Sequence, residues 1–568
     1  MNTPSAAEPA APPSPRMLSV TFPDGACKQV PLNTTVGALV GERDGPDGLY
    51  YLGATVNHDV VSLTYPLETD SELSMLTLAD SHGERIYRRS LSLLMARTIK
   101  ELFPEARFTV EHSLGSGLYC TFEVDGHQGI TDEQLSQIDA RARELVAKGV
   151  PIERHKVTFQ QAVERFEAEG QHDKVNLLRF RNPPKIVLYS IEGFSDLGHG
   201  VVAPSTKALN LFELVRYEEG FMIQFPDTQN PAEVRPFTPI PYLYQIFKEH
   251  KGWGRILGLT TVGQLNEIIA RREIDGFIKI AEALHEKKIA RVADEIYKHH
   301  DRIRTLLIAG PSCAGKTTLT KRLAIQLRVN GLRPRSVSVD DYFVNRDDTP
   351  RDAAGNYDFE HIEAIDLALF NEHLMRLIEG EEVELPRFNF EKGEREYRGD
   401  RLRLAPDEIL ILEGIHCLNP RLSATVDEDH KFRIYVSALT QLNLDHNSRI
   451  STTDNRLLRR LVRDYQFRGH SALTTLRMWP SVREGEKRWI FPTQHQADIA
   501  FNSALDYELA VLKPMAEPLL AEVKPDVPEY ATARRMQEFL SYFVAAPEDM
   551  VPKASILREY IGGSSFKY

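Results

Sequence analysis

One stretch constrains this chain more than any other: residues 303–320, IRTLLIAGPSCAGKTTLT. An apolar run, Leu306-Leu307-Ile308, drops into Gly310-Pro311-Ser312-Cys313-Ala314-Gly315-Lys316-Thr317-Thr318, and a helix-compatible segment follows. Buried strand, glycine-rich turn and helix N-terminus, in that order, form the context a phosphate-binding loop requires. The glycines let backbone N–H groups approach phosphate oxygens, and the helix N-terminus adds a fixed partial positive charge. On this pattern the backbone from Gly310 to Thr318 cradles a triphosphate. Lys316 reaches its β- and γ-phosphates, and the Thr317 hydroxyl ligates Mg²⁺. A chance glycine turn with an exposed lysine would need neither flank. The chain is therefore expected to bind a nucleoside triphosphate.

Composition sets the outer limits. A chain of 568 residues can hold three or four domains, each with its own core. With 42% hydrophobic and 26% charged residues, wholesale disorder is excluded. A net charge of −12 argues against duplex nucleic acid as the main partner, although a local basic patch is compatible with it. Cys27, Cys120, Cys313 and Cys417 show no paired spacing, which suggests reduced thiols rather than disulfides or a zinc knuckle. Cys313, inside the loop, is an expected alkylation target. No run approaches the ~18 apolar residues of a membrane span. The N-terminal MNTPSAAEPAAPPSPR reads as a flexible tail, not a signal sequence. A cytoplasmic protein without a membrane partner is expected, and a homo-oligomer stays open.

The chain divides into segments. After the tail (1–16), MLSVTFPDGACKQVPL alternates around Pro23-Asp24-Gly25, a hairpin signal that opens a small β-rich module over 17–78. Thr34 to Glu42 suits a short helix. A second, α+β region spans 85–225, with RSLSLLMARTIKELFP at helical spacing and FQQAVERFEAEG capped by Gly170. A linker and a helical segment, with a long helix expected from Asp275, fill 226–290. Over 291–510, apolar strands alternate with crossover helices, which argues a parallel, doubly wound α/β sheet. Residues 511–568 form an extension to which no chemistry is assigned.

Three features of the 291–510 segment bear on the reaction. SVSVDDYF ends in Asp340 and Asp341, placing a carboxylate at a strand's C-terminal edge, where it can accept a hydroxyl proton. A turn or N-cap role is the alternative. Glu413 follows the apolar strand Ile409–Leu412, a position suited to Mg²⁺ or, more simply, to solvent. Arg456, Arg459, Arg460 and Arg463 recur at i, i+3, i+4 and i+7, one helix face, with Arg468 just beyond. Such a face suits phosphate anions in a lid that closes and excludes water, or an Asp-balanced helix in solvent.

On these residues, roughly 300–510 resemble the uridine kinase and phosphoribulokinase family. The resemblance implies a P-loop NTPase-type fold, ATP with Mg²⁺, and a small-molecule hydroxyl acceptor. VDDYF is similar to the family's Asp-x-aromatic-aromatic segment, implying Asp340 as catalytic base with Tyr342 beside the substrate. YDFEHIEAID implies Glu360 on sugar hydroxyls, and LPRFNF implies Phe388 beside a base. ILEGIH aligns Glu413 with Mg²⁺. RLLRRLVRDYQFRG resembles an arginine lid, implying Arg459 and Arg463 on ATP and Arg460 and Arg468 on the substrate side. The chain departs from the pattern in FEKGEREY, which lacks the His expected after the base-contacting aromatic.

The N-terminal half resembles a different family. Residues 17–78 are similar to the ubiquitin-like (β-grasp) TGS module of threonyl-tRNA synthetases, and 85–225 to the domain of those enzymes that edits mischarged tRNA. At the family's His-x-x-x-His and Cys-x-x-x-His positions this chain reads Arg89, Leu93, Gly198 and Val202, none able to bind metal. His199 is expected to be satisfied structurally. The leading expectation is an ATP-dependent kinase acting on a nucleoside or related ribose metabolite. The alternative is a nucleotide-gated RNA-binding or ribosome-associated regulator built on the N-terminal modules. An acceptor-hydroxyl base favours the former.

Overall fold

The computed structural model describes residues 16–40, 45, 48–115, 117–352, 355–389 and 392–567. The expected flexible tail lies outside the described residues, apart from Arg16. The first sheet orders its strands Cys27–Pro31, Met17–Thr21, Ser71–Leu76, Gly53–Val56 and Asp59–Val61, with the pair Met17–Thr21/Ser71–Leu76 parallel. Gly25, at φ +82°, makes the turn of the first hairpin. Of the helix expected over Thr34–Glu42, a 3-10 turn at Val36–Ala38 forms, and Glu42 lies outside the described residues.

The Ser81–Leu102 helix follows, starting ahead of Arg85. Its Leu91, Leu94 and Met95 bury against Phe108, Phe122 and Phe221 of an antiparallel sheet. A separate sheet joins Phe194–Leu197, Ile186–Ile191 and Glu153–Val157. Beyond the proline-rich passage come the helices Pro241–Leu257, Val262–Ala270 and Ile274–Tyr297.

The C-terminal half is a five-stranded, wholly parallel sheet in the order Arg333–Ser338, Glu408–Glu413, Thr305–Ala309, Lys431–Ser437, Ile499–Asn502. Its central strands are buried along their length, which explains their near-continuous apolar character. Parallel register gathers the strand ends Ala309, Ser338 and Glu413 at one edge, where open α/β sheets bind ligands. Among the described residues, no helix is long and apolar enough to cross a membrane.

The two halves share one interior. A single hydrophobic cluster runs from Ala162, Phe166 and Leu177 through Leu265 and Ile278 to Ile308, Leu457, Leu540 and Tyr560. A short hairpin of the C-terminal half, Asn443–Arg449, also enters the 85–225 region. The Val110 amide donates to the His446 carbonyl at 2.8 Å, and the Asn443 side-chain amide donates to the Val110 carbonyl at 3.0 Å. At its tip, the fully buried Asp445 meets His199 at 2.5 Å. Lys174, 1% exposed, bridges Asp196 at 3.0 Å and Asn447 at 2.9 Å.

Burial opposes ionisation of Asp445, but the Lys174 ammonium and His199 outweigh it and hold the carboxyl well below the usual range. Its contribution is complete above the unfolded aspartate pKa of about 3.9 and fades as pH falls below it. Asp445→Ala, which removes the buried partner of His199 and one of the charges facing Lys174, is expected to cost about 3–5 kcal/mol. The shift of the urea unfolding midpoint at pH 7 checks this value, and the cost should shrink in strong acid.

Candidate active site

The phosphate loop forms where the Thr305–Ala309 strand meets the Lys316–Val329 helix. Gly315 caps that helix at φ +83°, a conformation other residues reach only with strain, and a Cβ there would also meet the Ile556 methyl at 2.6 Å. A Cβ on Gly310 would collide with the Val436 carbonyl oxygen. Cys313 is 4% exposed, so the expected alkylation target is instead sealed in the loop's underside.

Lys316 is 8% exposed, with its ammonium 3.4 Å from the Pro311 carbonyl oxygen. Beside it the Thr317 hydroxyl donates to Glu413 Oε2 at 3.2 Å, so a hydroxyl and a carboxylate from two elements converge on one point. Burial pushes the Glu413 carboxyl up to about 7, with Asp340 and Glu559 adding to the push against Lys316. Two hard oxygen donors, one a desolvated acid that a nearby cation would keep ionised, fit Mg²⁺, which fills its remaining positions with water and phosphate.

Across the sheet edge stand the remaining acids. Asp340 lies in the 3-10 turn Val339–Tyr342 and stays partly accessible. Burial raises its pKa, opposed by the charges of Lys316, Arg468 and Arg463. Glu360 faces Lys316, Asp340 and Arg460; burial and the neighbouring Glu486 push its carboxyl up to about 7. A Cβ on Gly485 would collide with Glu360, so glycine is required for that approach. Asp341 ties in the Glu382–Asn389 strand, accepting from the Phe388 amide at 3.3 Å and pairing with Arg387 at 3.1 Å. The Phe388 ring lies 5.5 Å from that of Phe343.

Three readings of the sequence need correction. Tyr342 is 1% exposed; its hydroxyl bonds His373 at 3.1 Å and its ring packs on Phe370, so it belongs to the core. Phe343 takes the place beside Phe388 instead.

The arginine helix, Thr452–Arg468, is not a lid in solvent: its first three turns are buried and paired. Arg456 holds Glu486 and donates to the Ser312 carbonyl at 3.0 Å. Arg459, wholly buried, commits both terminal nitrogens to Glu508 at 2.5 Å, Ser503 and the Cys313 carbonyl at 3.2 Å, and its Nε is buried without a partner. Arg460 reaches the Ser312 hydroxyl at 3.0 Å, while Arg463 pairs with the buried Asp464 at 2.6 Å. Arg468, more exposed, lies 3.8 Å from Asp464. Arg456, Arg459 and Arg460 brace the loop from behind, and Arg463 and Arg468 set their charge near Asp340.

The third correction concerns the C-terminal extension, which reaches the loop itself. Glu559 accepts from the Thr318 amide at 3.1 Å and from its hydroxyl at 2.7 Å. The Tyr560 hydroxyl donates to the Cys313 carbonyl at 3.1 Å. Nothing in the local sequence signals this contact, because the partners lie 241 residues apart.

Comparison with known proteins divides the chain in the same place. Residues 306–510 match the Phosphoribulokinase / Uridine kinase family. The N-terminal ~200 residues match threonine–tRNA ligases. That of Pelobacter propionicus is 30% identical over 198 residues, and that of a Polaromonas species 32% over 201. Each alignment covers 35% of this chain and 31% of the relative, so the chain spans about a third of the ligases' length. Among solved structures, similarity extends to a possible uridine kinase of Bacillus stearothermophilus, at 19% identity and a TM-score of 0.24, covering 35% of this chain and 89% of that one. A D-glycerate 3-kinase from Cryptococcus neoformans follows at 16% identity and a TM-score of 0.21, covering 47% and 89%. Along one chain, similarity to threonine–tRNA ligases is thus followed by similarity to the Phosphoribulokinase / Uridine kinase family over 306–510.

Proposed function

We propose that the protein is an ATP-dependent phosphotransferase that moves the γ-phosphoryl group of ATP to a hydroxyl of a nucleoside or related ribose metabolite. The observation that carries this reading is the convergence of Lys316, the Thr317–Glu413 pair and the partly accessible Asp340 on one sheet edge. Loop amides and Lys316 hold the triphosphate, and Thr317 and Glu413 hold Mg²⁺, which when bound neutralises charge on the phosphates. Asp340 takes the acceptor's proton, and Glu360 receives a sugar hydroxyl. The Phe343–Phe388 pair offers an aromatic wall for the rest of the acceptor. Arg463 and Arg468 add positive charge where the phosphoryl group passes. The structural units at 17–78, 85–225 and 291–510 serve one enzyme, with the first two as its brace.

ADP release with ATP-Mg²⁺, measured against a panel of nucleosides, sugar phosphates and glycerate, tests the proposal. One class of acceptor should raise turnover at least tenfold above background hydrolysis, and Lys316→Ala should abolish the effect. If no acceptor does so and RNA stimulates hydrolysis instead, the ligase-like N-terminal segment supplies the function and the kinase reading fails.

A further inference from the structure

A second cluster of cations stands where the two halves meet. Arg85, Arg88 and Arg89 share one face of the Ser81–Leu102 helix by their i, i+3, i+4 spacing. Arg449 comes from the inserted hairpin and Arg535 from the Tyr530–Leu540 helix. Asp454 pairs with two of them, at 3.5 Å from Arg85 and 2.7 Å from Arg535. Glu84 adds a weaker attraction to Arg85. Arg89 donates to the Val201 carbonyl, and Arg449 to the Ile450 carbonyl at 3.3 Å.

Arg88 makes no side-chain hydrogen bond or ion pair among the described residues, and the Nε atoms of Arg449 and Arg535 are buried without a partner. Five guanidinium groups thus share little more than one carboxylate, in a chain whose net charge is −12. Arg535, with burial, pushes Arg85 down to about 10; burial, with Arg88, pushes Arg449 down to about 9.

We propose that this cluster is a second phosphate-binding site, taking the terminal phosphoryl group of a small phosphorylated metabolite. Planar guanidiniums grip phosphate through paired N–H donors, and here they come from three elements that converge on one carboxylate. Convergence suits a compact dianion; a nucleic-acid backbone would call for a stripe along a groove. The side chains of Arg85 and Arg535 are 28% and 22% exposed, so the cluster is open to solvent without being a free surface. An arriving dianion competes with Asp454 for Arg85 and Arg535. Asp454 lies in the first turn of the helix whose Arg456 and Arg460 hold Ser312 of the loop. Occupancy here therefore bears directly on the loop's brace.

The test uses the full-length Lys316→Ala protein, in which the loop's own grip on phosphate is weakened. Inorganic pyrophosphate and ribose 5-phosphate are titrated at constant ionic strength by calorimetry, and a short RNA hairpin at matched phosphate concentration forms a third arm. The expected result is saturable binding of pyrophosphate or ribose 5-phosphate that weakens at least tenfold on adding Arg88→Gln or Arg449→Gln. Arg88 holds no partner among the described residues, so its replacement leaves the fold intact, which an unchanged unfolding midpoint verifies. Absence of binding in Lys316→Ala, or binding untouched by both substitutions, overturns the proposal. RNA binding lost with Arg88, without small-molecule binding, overturns it in favour of a nucleic-acid surface.

Discussion

Asp340→Asn is expected to lower turnover about 10²- to 10⁴-fold, the usual contribution of a positioned general base, with ATP affinity nearly unchanged. Asparagine keeps the shape and a hydrogen-bond acceptor but cannot take the acceptor's proton. The prediction rests on where the side chain stands. It closes a strand at the ligand edge of the sheet, within the fields of Lys316, Arg463 and Arg468, and burial raises its basicity above that of a solvated aspartate. Neighbouring Asp341 is committed to Arg387 and the Phe388 amide, so it is not a ready substitute. Single-turnover rates beside equilibrium ATP binding separate the two effects. A rate within threefold of wild type would remove Asp340 from the chemistry.

Glu559→Gln is expected to tighten ATP binding by about tenfold. The Thr318 amide is the third of the helix after its Gly315 cap and points to where a phosphate-loop helix receives phosphate oxygens. Glu559 already occupies that amide and the Thr318 hydroxyl, so the carboxylate and the triphosphate contend for the same donors. A hydrogen bond to a charged group contributes about 1.5–3 kcal/mol against about 0.5–1.5 for a neutral one, so weakening this competitor corresponds to roughly a tenfold gain in affinity. The negative charge also bears on Glu413, adding to the cost of bringing phosphate nearby. Calorimetry with a non-hydrolysable ATP analogue measures the change. Weaker binding would instead mean that the C-terminal segment helps to build the nucleotide site.

What could be read from the sequence was local. The loop declared itself because the backbone demands at Gly310 and Gly315 arise within a few residues of the strand and helix that flank them. The strand-end position of Glu413 followed from the apolar run before it, and the structure sets it against Thr317. Side-chain direction past a strand end was not legible. The Arg333–Ser338 strand gives way to a 3-10 turn, which sends Tyr342 into the core and leaves Phe343 beside Phe388. Helical spacing correctly put four arginines together but could not name their partners. Those are Glu486, 30 residues from Arg456, and Glu508, 49 from Arg459. For the same reason, Glu559 carried no signal at all.

The hairpin carrying Asp445 has a practical corollary for anyone wishing to cut the protein in two. Sequence similarity divides the chain near its middle, and a gene could be split there without touching a motif. The polypeptide tolerates no such partition. A liberated C-terminal fragment would present Asp445 and the Ala510–Ile561 side of its core to water, and in the N-terminal fragment His199 would lose Asp445 and Lys174 would lose Asn447. Similarity separates these parts, and one shared core joins them.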